Sequence, residues 1–390
     1  MSHENVSTKI GLSLSGGGIR AAVFHLGVLR RLAKEDRLEN VSVLSTVSGG
    51  SLVTAAIFAH SGMRWPTSEA YLSTVYPKLR EIITTTSLLA FDAVGWKGLL
   101  RHNVRLLTDR GGLLALFLKE RWGVTGKLAD LPDSPKWYVN TTCFETGKNW
   151  RFSKREMGDW QFGRHFNPQF EIAQAAAASA AVPYGIGALK LTLPSEGWHN
   201  TDPATRAPLS PCKPPSTSVR LWDGGAYENL GLEAIFKPGE ALRGCDFLIC
   251  SDASGPLKPP GRGPLGSLLK GQLWSPRLFD VASDQIRALR ARMVIGDFER
   301  DLVKGVYLRI GNTVRDIDIK VGRNREPAEY DAYLSDEEGR LALHQPTDLN
   351  RLPELLFDRI ARHGFEVAEA TFSARVPTIF PSTHTWERAA

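Results

Sequence analysis

Two short turns near the start of the chain restrict its possible folds more than any other feature. One is the glycine run Ser15-Gly16-Gly17-Gly18-Ile19-Arg20, the other Thr46-Val47-Ser48-Gly49-Gly50. Each follows a run of β-formers, Ile10–Leu14 and Val41–Val47, and each opens into a helical pattern. Val23, Leu26 and Leu29 mark the apolar face of a helix over Ile19–Leu32, and Leu52–Phe58 reads as the start of a buried helix. Strand–turn–helix repeated in this way predicts parallel strands with helices on both faces.

The remainder extends that pattern. Strands are expected at Trp137–Thr142, Trp150–Ser153, Val219–Trp222, Asp246–Cys250 and Val306–Ile310. Helices are expected at Ile172–Ala181, stopped by Pro183, and at Leu278–Ile295. Another is expected over the C-terminal stretch 348–375, where Leu352, Leu355, Leu356, Ile360 and Phe365 recur at helical spacing. Residues 61–131 show apolar clusters mixed with basic residues and no strand signal, which predicts a helical insertion or cap. The Pro/Ser/Thr/Gly-rich stretch Leu193–Ser218 reads as a long surface loop. Residues 255–277, rich in Pro and Gly and free of acids, read as a candidate lid or membrane loop. Neither repeats nor low-complexity tracts interrupt the chain, so residues 1–390 are expected to form one large domain.

Composition excludes several classes. With 390 residues, 42% of them hydrophobic and 23% charged, the chain can bury a large core. Its net charge of +6 suits an anionic surface, but no nucleic-acid-binding module accompanies it. Cys143, Cys212, Cys245 and Cys250 form no CxxC pattern, so neither a metal site nor a disulfide framework is expected. Met1–Asn5 carries no secretory pattern, and the apolar run Leu113–Leu118 is far shorter than the ~20 residues of a spanning helix. The expectation is a cytoplasmic protein.

The chemistry sits in the turns. Ser48 stands where a strand turns sharply into a helix, the setting of a nucleophile elbow, with Gly50 as its second small position. Thr46 occupies the first, where an elbow usually has glycine. Helix capping is the other reading of Ser48, although Ser51 is equally placed for that. Gly16, Gly17 and Gly18 supply backbone N–H groups between a strand and a helix, as an oxyanion hole requires. The run lacks the Gly-Lys-Ser/Thr ending of a P-loop and the later glycines of a dinucleotide fingerprint, which argues against nucleotide binding. Arg20 reads as a loop orienter, with substrate phosphate as the alternative. A serine nucleophile needs a base. None of the nine histidines lies in a strand-end turn, but Asp223 does, ending a strand before Gly224 and Gly225. Turn capping is the plainer reading of such an Asp-Gly. Asp252, in Ser251-Asp252-Ala253, is a second strand-end acid.

Taken in order, Gly16-Gly17-Gly18-Ile19-Arg20, the Ser48 elbow and Asp223-Gly224-Gly225 resemble the patatin-like phospholipase family. The alanine/serine helix Ala175–Pro183 and the segment Thr142–Gly147 add to the resemblance, which covers about Ile10 to Gly231. The Gly-Gly-Gly-x-Arg-Ala and Ser-Gly-Gly-Ser forms are similar to the cytosolic phospholipase branch. The resemblance implies an α/β fold, a three-layer α/β/α sandwich around a mainly parallel sheet. It further implies a lipid acyl hydrolase without metal or cofactor. Carried over, Ser48 is the nucleophile and Asp223 the base. Gly17 and Gly18 are the oxyanion donors, Gly16 shapes their loop, and Arg20, Gly50, Gly224 and Gly225 support the site. The expected substrate is a phospholipid or other lipid ester, met at a membrane surface. Aromatic and basic residues interleaved between Leu88 and Trp122, and Leu265, Leu268, Leu269 and Trp274 beside Lys270, are the candidate contact faces. A general esterase, an acyltransferase and a catalytically impaired binding protein are the alternatives.

Overall fold

The computed structural model describes residues 8–88, 109–183, 185–202, 205–257 and 276–387. The two opening units fold as their pattern requires: β1 (Ile10–Leu14) leads into α1 (Gly18–Ala33), and β2 (Val41–Thr46) into α2 (Gly49–His60). The 61–131 region contributes α3 (Tyr76–Thr85) and α4 (Arg110–Trp122). Next come β3 (Lys136–Cys143), β4 (Asn149–Phe152), β5 (Glu156–Asp159), β6 (Gly163–Phe166) and α5 (Ile172–Ser179). Then follow β7 (Leu189–Thr192), β8 (Trp198–Thr201), β9 (Pro208–Pro211), β10 (Ser218–Asp223) and β11 (Phe247–Asp252). The last third supplies α6 (Pro276–Glu299), β12 (Gly305–Arg309), α7 (Val314–Val321), α8 (Asp336–His344) and α9 (Glu354–Arg375).

All strands join one sheet, whose core is parallel in the order β12-β11-β1-β2-β3. Every residue of β1 and β11 is buried, as parallel strands covered on both faces must be. Alternate residues of β11 divide between two apolar clusters. Phe247 and Ile249 join the large one with α1, α2 and α9. Leu248 and Cys250 join a smaller one with Leu230, Phe236 and Val294 of α6. Helices, sheet and helices thus form three layers. Helices α1 and α9 cross very closely. A side-chain carbon on Gly27 would overlap the carbonyl of Ala361, and one on Gly364 that of Phe24.

Beyond β3 the sheet becomes an antiparallel wing, β4-β5-β6-β8-β9. Its hairpin β8–β9 falls inside Leu193–Ser218, which the sequence gives as loop. The hairpin is an edge, β9 is exposed along its whole length, and prolines bound it, so no buried stripe marks it. The C-terminal helix begins only at Glu354, because Pro353 occupies its N-cap with extended backbone. Most of the 255–277 segment, and both candidate membrane faces over much of their length, lie outside the described residues.

One detail of topology places the site. Strand β2 ends at Thr46 opposite Val139 of β3, and β10 runs antiparallel along the same edge of β3 to end at Asp223 opposite Thr141. Two strand ends therefore approach each other over two residues of β3, about 7 Å.

Candidate active site

The chain leaves β2 through a strained turn. Ser48 has φ 49° and ψ −119°, in the region that side-chain-bearing residues avoid, and α2 begins at the next residue. Neither serine caps this helix. The Ser48 hydroxyl makes no capping bond, and Ser51 is engaged elsewhere. Gly50 must be small because a side-chain carbon there would lie 2.9 Å from Leu14 Cβ.

Thr46 is accommodated by a buried chain of hydroxyls whose direction can be worked out. Ser179 Oγ donates to the carbonyl of Asn140 at 2.7 Å. With its proton so committed, it accepts from Ser51 Oγ and from the Ser48 N–H, both at 2.9 Å. Ser51 then accepts from Thr46 Oγ1 at 2.8 Å, and Thr46 accepts from Trp137 Nε1 at 2.9 Å. The strained Ser48 peptide is therefore held by a relay that starts at the residue replacing glycine. Asn140 grips the turn from the other side, donating Nδ2 to Ser45 Oγ and to the Thr46 carbonyl.

Asp223 is held by its own turn. Its carbonyl accepts from Thr142 Oγ1 at 2.9 Å, and its Oδ1 accepts the Gly225 N–H at 2.7 Å. Burial pushes its carboxyl up to about 6, against the opposing effect of hydrogen bonds from the Ser48 hydroxyl and the Gly225 N–H. Ser48 and Asp223 are 5% and 6% exposed, so the pair is almost dry. Asp223 thus caps its turn and faces Ser48 at once.

The glycine loop packs on the elbow. A side-chain carbon on Gly16 would lie 2.9 Å from Ser48 Cβ, and one on Gly49 would overlap the Gly18 carbonyl. Gly17 and Gly18 have φ 144° and 64°. The Gly16 N–H is already donated to the Asn229 carbonyl at 3.1 Å, so Gly16 shapes the loop sterically. The amides of Gly17, Gly18 and Gly49 have no hydrogen-bond partner among the described residues.

The family model for patatin-like phospholipases matches residues 12–236, more than half of the chain and all of these elements. The chain belongs to the patatin-like phospholipase family. Its fold is that of human GIVD cytosolic phospholipase A2, with a TM-score of 0.56 at 14% identity over 97% of this chain and 61% of that one. The same human enzyme in complex with methyl gamma-linolenyl fluorophosphonate gives a TM-score of 0.53 at 16% identity, over 96% and 59%. The chain thus spans about three-fifths of the length of those solved proteins. No curated protein matches the sequence significantly.

Within this patatin-like frame the other candidates separate. Arg20 is buried and faces the protein, donating to the carbonyls of Leu343, Gln345 and Ala253 at 3.0, 2.8 and 3.1 Å. Asp252 is fully occupied by Tyr307 Oη, Arg287 and the Ser254 N–H. His25 is sealed beneath the glycine loop between Ser251 Oγ and the Ser15 carbonyl, and burial pulls its pKa down to about 4. Sequence reasoning missed Ser179, Asn140 and Asn229. Ser179 had a usable signal, being the one polar side chain in the run Ala175–Pro183. The asparagines had none. Among the described residues no group of three or more His, Cys, Asp or Glu side chains could hold a metal, and no helix is long and apolar enough to cross a membrane.

Proposed function

We propose that this patatin-like protein is a lipid acyl hydrolase in which Ser48 is the nucleophile and Asp223 its base. The observation that carries the reading is the meeting of two nearly dry strand-end side chains, Ser48 in its strained elbow and Asp223 with its carboxyl raised by burial and within the influence of the Ser48 hydroxyl, beside the unpaired amides of Gly17 and Gly18. Asp223 accepts the Ser48 proton as the hydroxyl oxygen attacks the ester carbonyl of a phospholipid or other lipid ester. The glycine amides then hold the oxyanion, each donor lowering the barrier by roughly 3–4 kcal/mol. As the tetrahedral intermediate collapses, the ester C–O bond breaks and Asp223 returns the proton to the leaving alcohol. A water, deprotonated by the same carboxylate, attacks the acyl-serine and releases the carboxylic acid and free Ser48. The strained elbow supports the reading further, because it holds the hydroxyl clear of the helix it precedes. The net charge of +6 supports transient contact with an anionic membrane surface from the cytoplasmic side.

The test is labelling with an alkyl fluorophosphonate followed by peptide mass spectrometry. The adduct is expected on Ser48 alone, absent in Ser48→Ala, with fatty acid released from phosphatidylcholine vesicles by the unlabelled protein. Phospholipid turnover that survives in Ser48→Ala would overturn the assignment. Labelling without turnover would support the non-catalytic binding reading.

A further inference from the structure

The antiparallel wing carries a feature that the hydrolase chemistry does not use. Its register lines up Asn140, Arg151, Gly158, Arg164 and His199 directly opposite one another across β3, β4, β5, β6 and β8, so that they share one face. Gly158 has no side chain, which leaves the two arginines neighbours across an open strand. Arg206, on the turn before β9, adds a third guanidinium, and burial followed by the like charge of neighbouring arginines lowers the pKa of both Arg151 and Arg206. Arg164 donates to Glu156 at 2.5 Å. Neither Arg151 nor Arg206 has an ion-pair partner among the described residues. Arg151 Nε and Nη1 and Arg164 Nε are buried with no hydrogen-bond partner among the described residues.

Such an arrangement is costly as it stands. Unpaired guanidinium groups lose water without recovering bonds, and like charges are packed together. The rest of the chain offers little relief, since the sequence outside the described residues contains only two acidic side chains, Glu4 and Asp92. The cluster adjoins a cavity of about 280 Å³ through Arg206 and through Glu156, the partner of Arg164; Tyr138, Lys136, Lys154 and Arg155 also line it, whereas Arg151 and Arg164 lie behind its wall. Asp133, within 4 Å of Lys154 and Arg155, is the other acid at its rim. The cavity is too small for an acyl chain and suits a compact charged group. A guanidinium fork matches two oxygens of a tetrahedral anion and binds them bidentately.

We propose that Arg151, Arg164 and Arg206 form a binding site, separate from Ser48, for the phosphoryl group of a small ligand or lipid headgroup. The bound anion supplies the counter-charge that Arg151 and Arg206 lack and acceptors for the unpartnered nitrogens of Arg151 and Arg164. The site draws on none of the residues assigned to hydrolysis, so it stands or falls independently of that reading.

Thermal unfolding of the full chain with sodium pyrophosphate, against sodium chloride at equal ionic strength, tests the site. A saturable rise in Tm is expected, weakened at least tenfold in apparent affinity by Arg206→Gln and abolished by Arg151→Met. Without pyrophosphate, Arg151→Met should unfold at the same or a higher temperature than wild type, because it removes one of three crowded like charges. A parallel arm measures co-sedimentation with phosphatidylcholine vesicles with and without phosphatidic acid. Saturation in solution assigns a soluble ligand, and Arg206-dependent capture by the phosphatidic acid vesicles alone assigns a headgroup. The proposal is overturned if neither arm shows binding, if both variants keep wild-type affinity, or if Arg151→Met lowers Tm as loss of a structural arginine would.

Discussion

Asp223 and Asp252 each end a strand of the same sheet in a turn of small residues, yet their surroundings are opposite. Asp252 is surrounded by donors: Tyr307, Arg287 at 3.2 Å and the Ser254 N–H at 2.9 Å engage both of its oxygens. Asp223 has one backbone donor and a serine hydroxyl, and burial lifts its carboxyl to about 6. A carboxylate paired with an arginine and held by two further donors is a structural post, whereas one desolvated with a single hydroxyl in reach is suited to take a proton. What separates the proposed base from a brace is therefore the set of groups that arrive from other strands, not the local turn.

Exchanging the carboxylates for amides tests that contrast most strongly. Asp223→Asn is expected to lower kcat about 10³-fold or more, as Ser48→Ala should, while leaving the fold intact. Asp252→Asn should instead cost about 3 kcal/mol of stability, read by denaturant unfolding, with kcat within about threefold of wild type. Equal losses of activity in both would erase the distinction. Next in size is the pH response. Because the proposed mechanism needs Asp223 ionised to accept the serine proton, kcat/KM should fall about tenfold per unit below pH 6 and level off above it. The stability sign is opposite. The folded carboxyl holds its proton more tightly than the unfolded one, so ionised Asp223 costs stability above pH 6 and nothing below about pH 4. Asp223→Asn should therefore raise Tm at pH 8 and lose that advantage toward pH 4. The smallest effect is expected from Thr46→Val, which keeps the shape but breaks the hydroxyl relay. A drop of about tenfold in kcat with little change in KM should appear, with stability lowered by about 1–2 kcal/mol. A change confined to stability would reduce the relay to packing.

The sequence reveals these parts unevenly, for physical reasons. The parallel core is legible because both faces of each strand are buried, which forces continuous apolar runs with small residues at the turns. Ser48, Asp223 and the glycine run follow from those turns. The wing is less legible. Strands such as Glu156–Asp159 and Pro208–Pro211 are short, one is exposed throughout, and their pairing depends on register rather than on a hydrophobic stripe. Thr46 illustrates the remaining gap. From sequence it departs from an elbow, and only the arrival of Trp137, Ser51 and Ser179 from three other elements turns the departure into a hydrogen-bonded support.

The tight crossing of α1 and α9 has a consequence for any attempt to trim this protein. The recognisable family segment stops at residue 236, yet the glycine loop is anchored by what comes after it. The Ile19 amide is tied to the Asp348 carbonyl, Arg20 reaches Leu343 and Gln345, and Ser15 is fastened to Ser251. A fragment cut at the family boundary would retain the proposed serine and aspartate but lose the wall against which the amides are set. The smallest working unit of this chain is accordingly larger than its family signature.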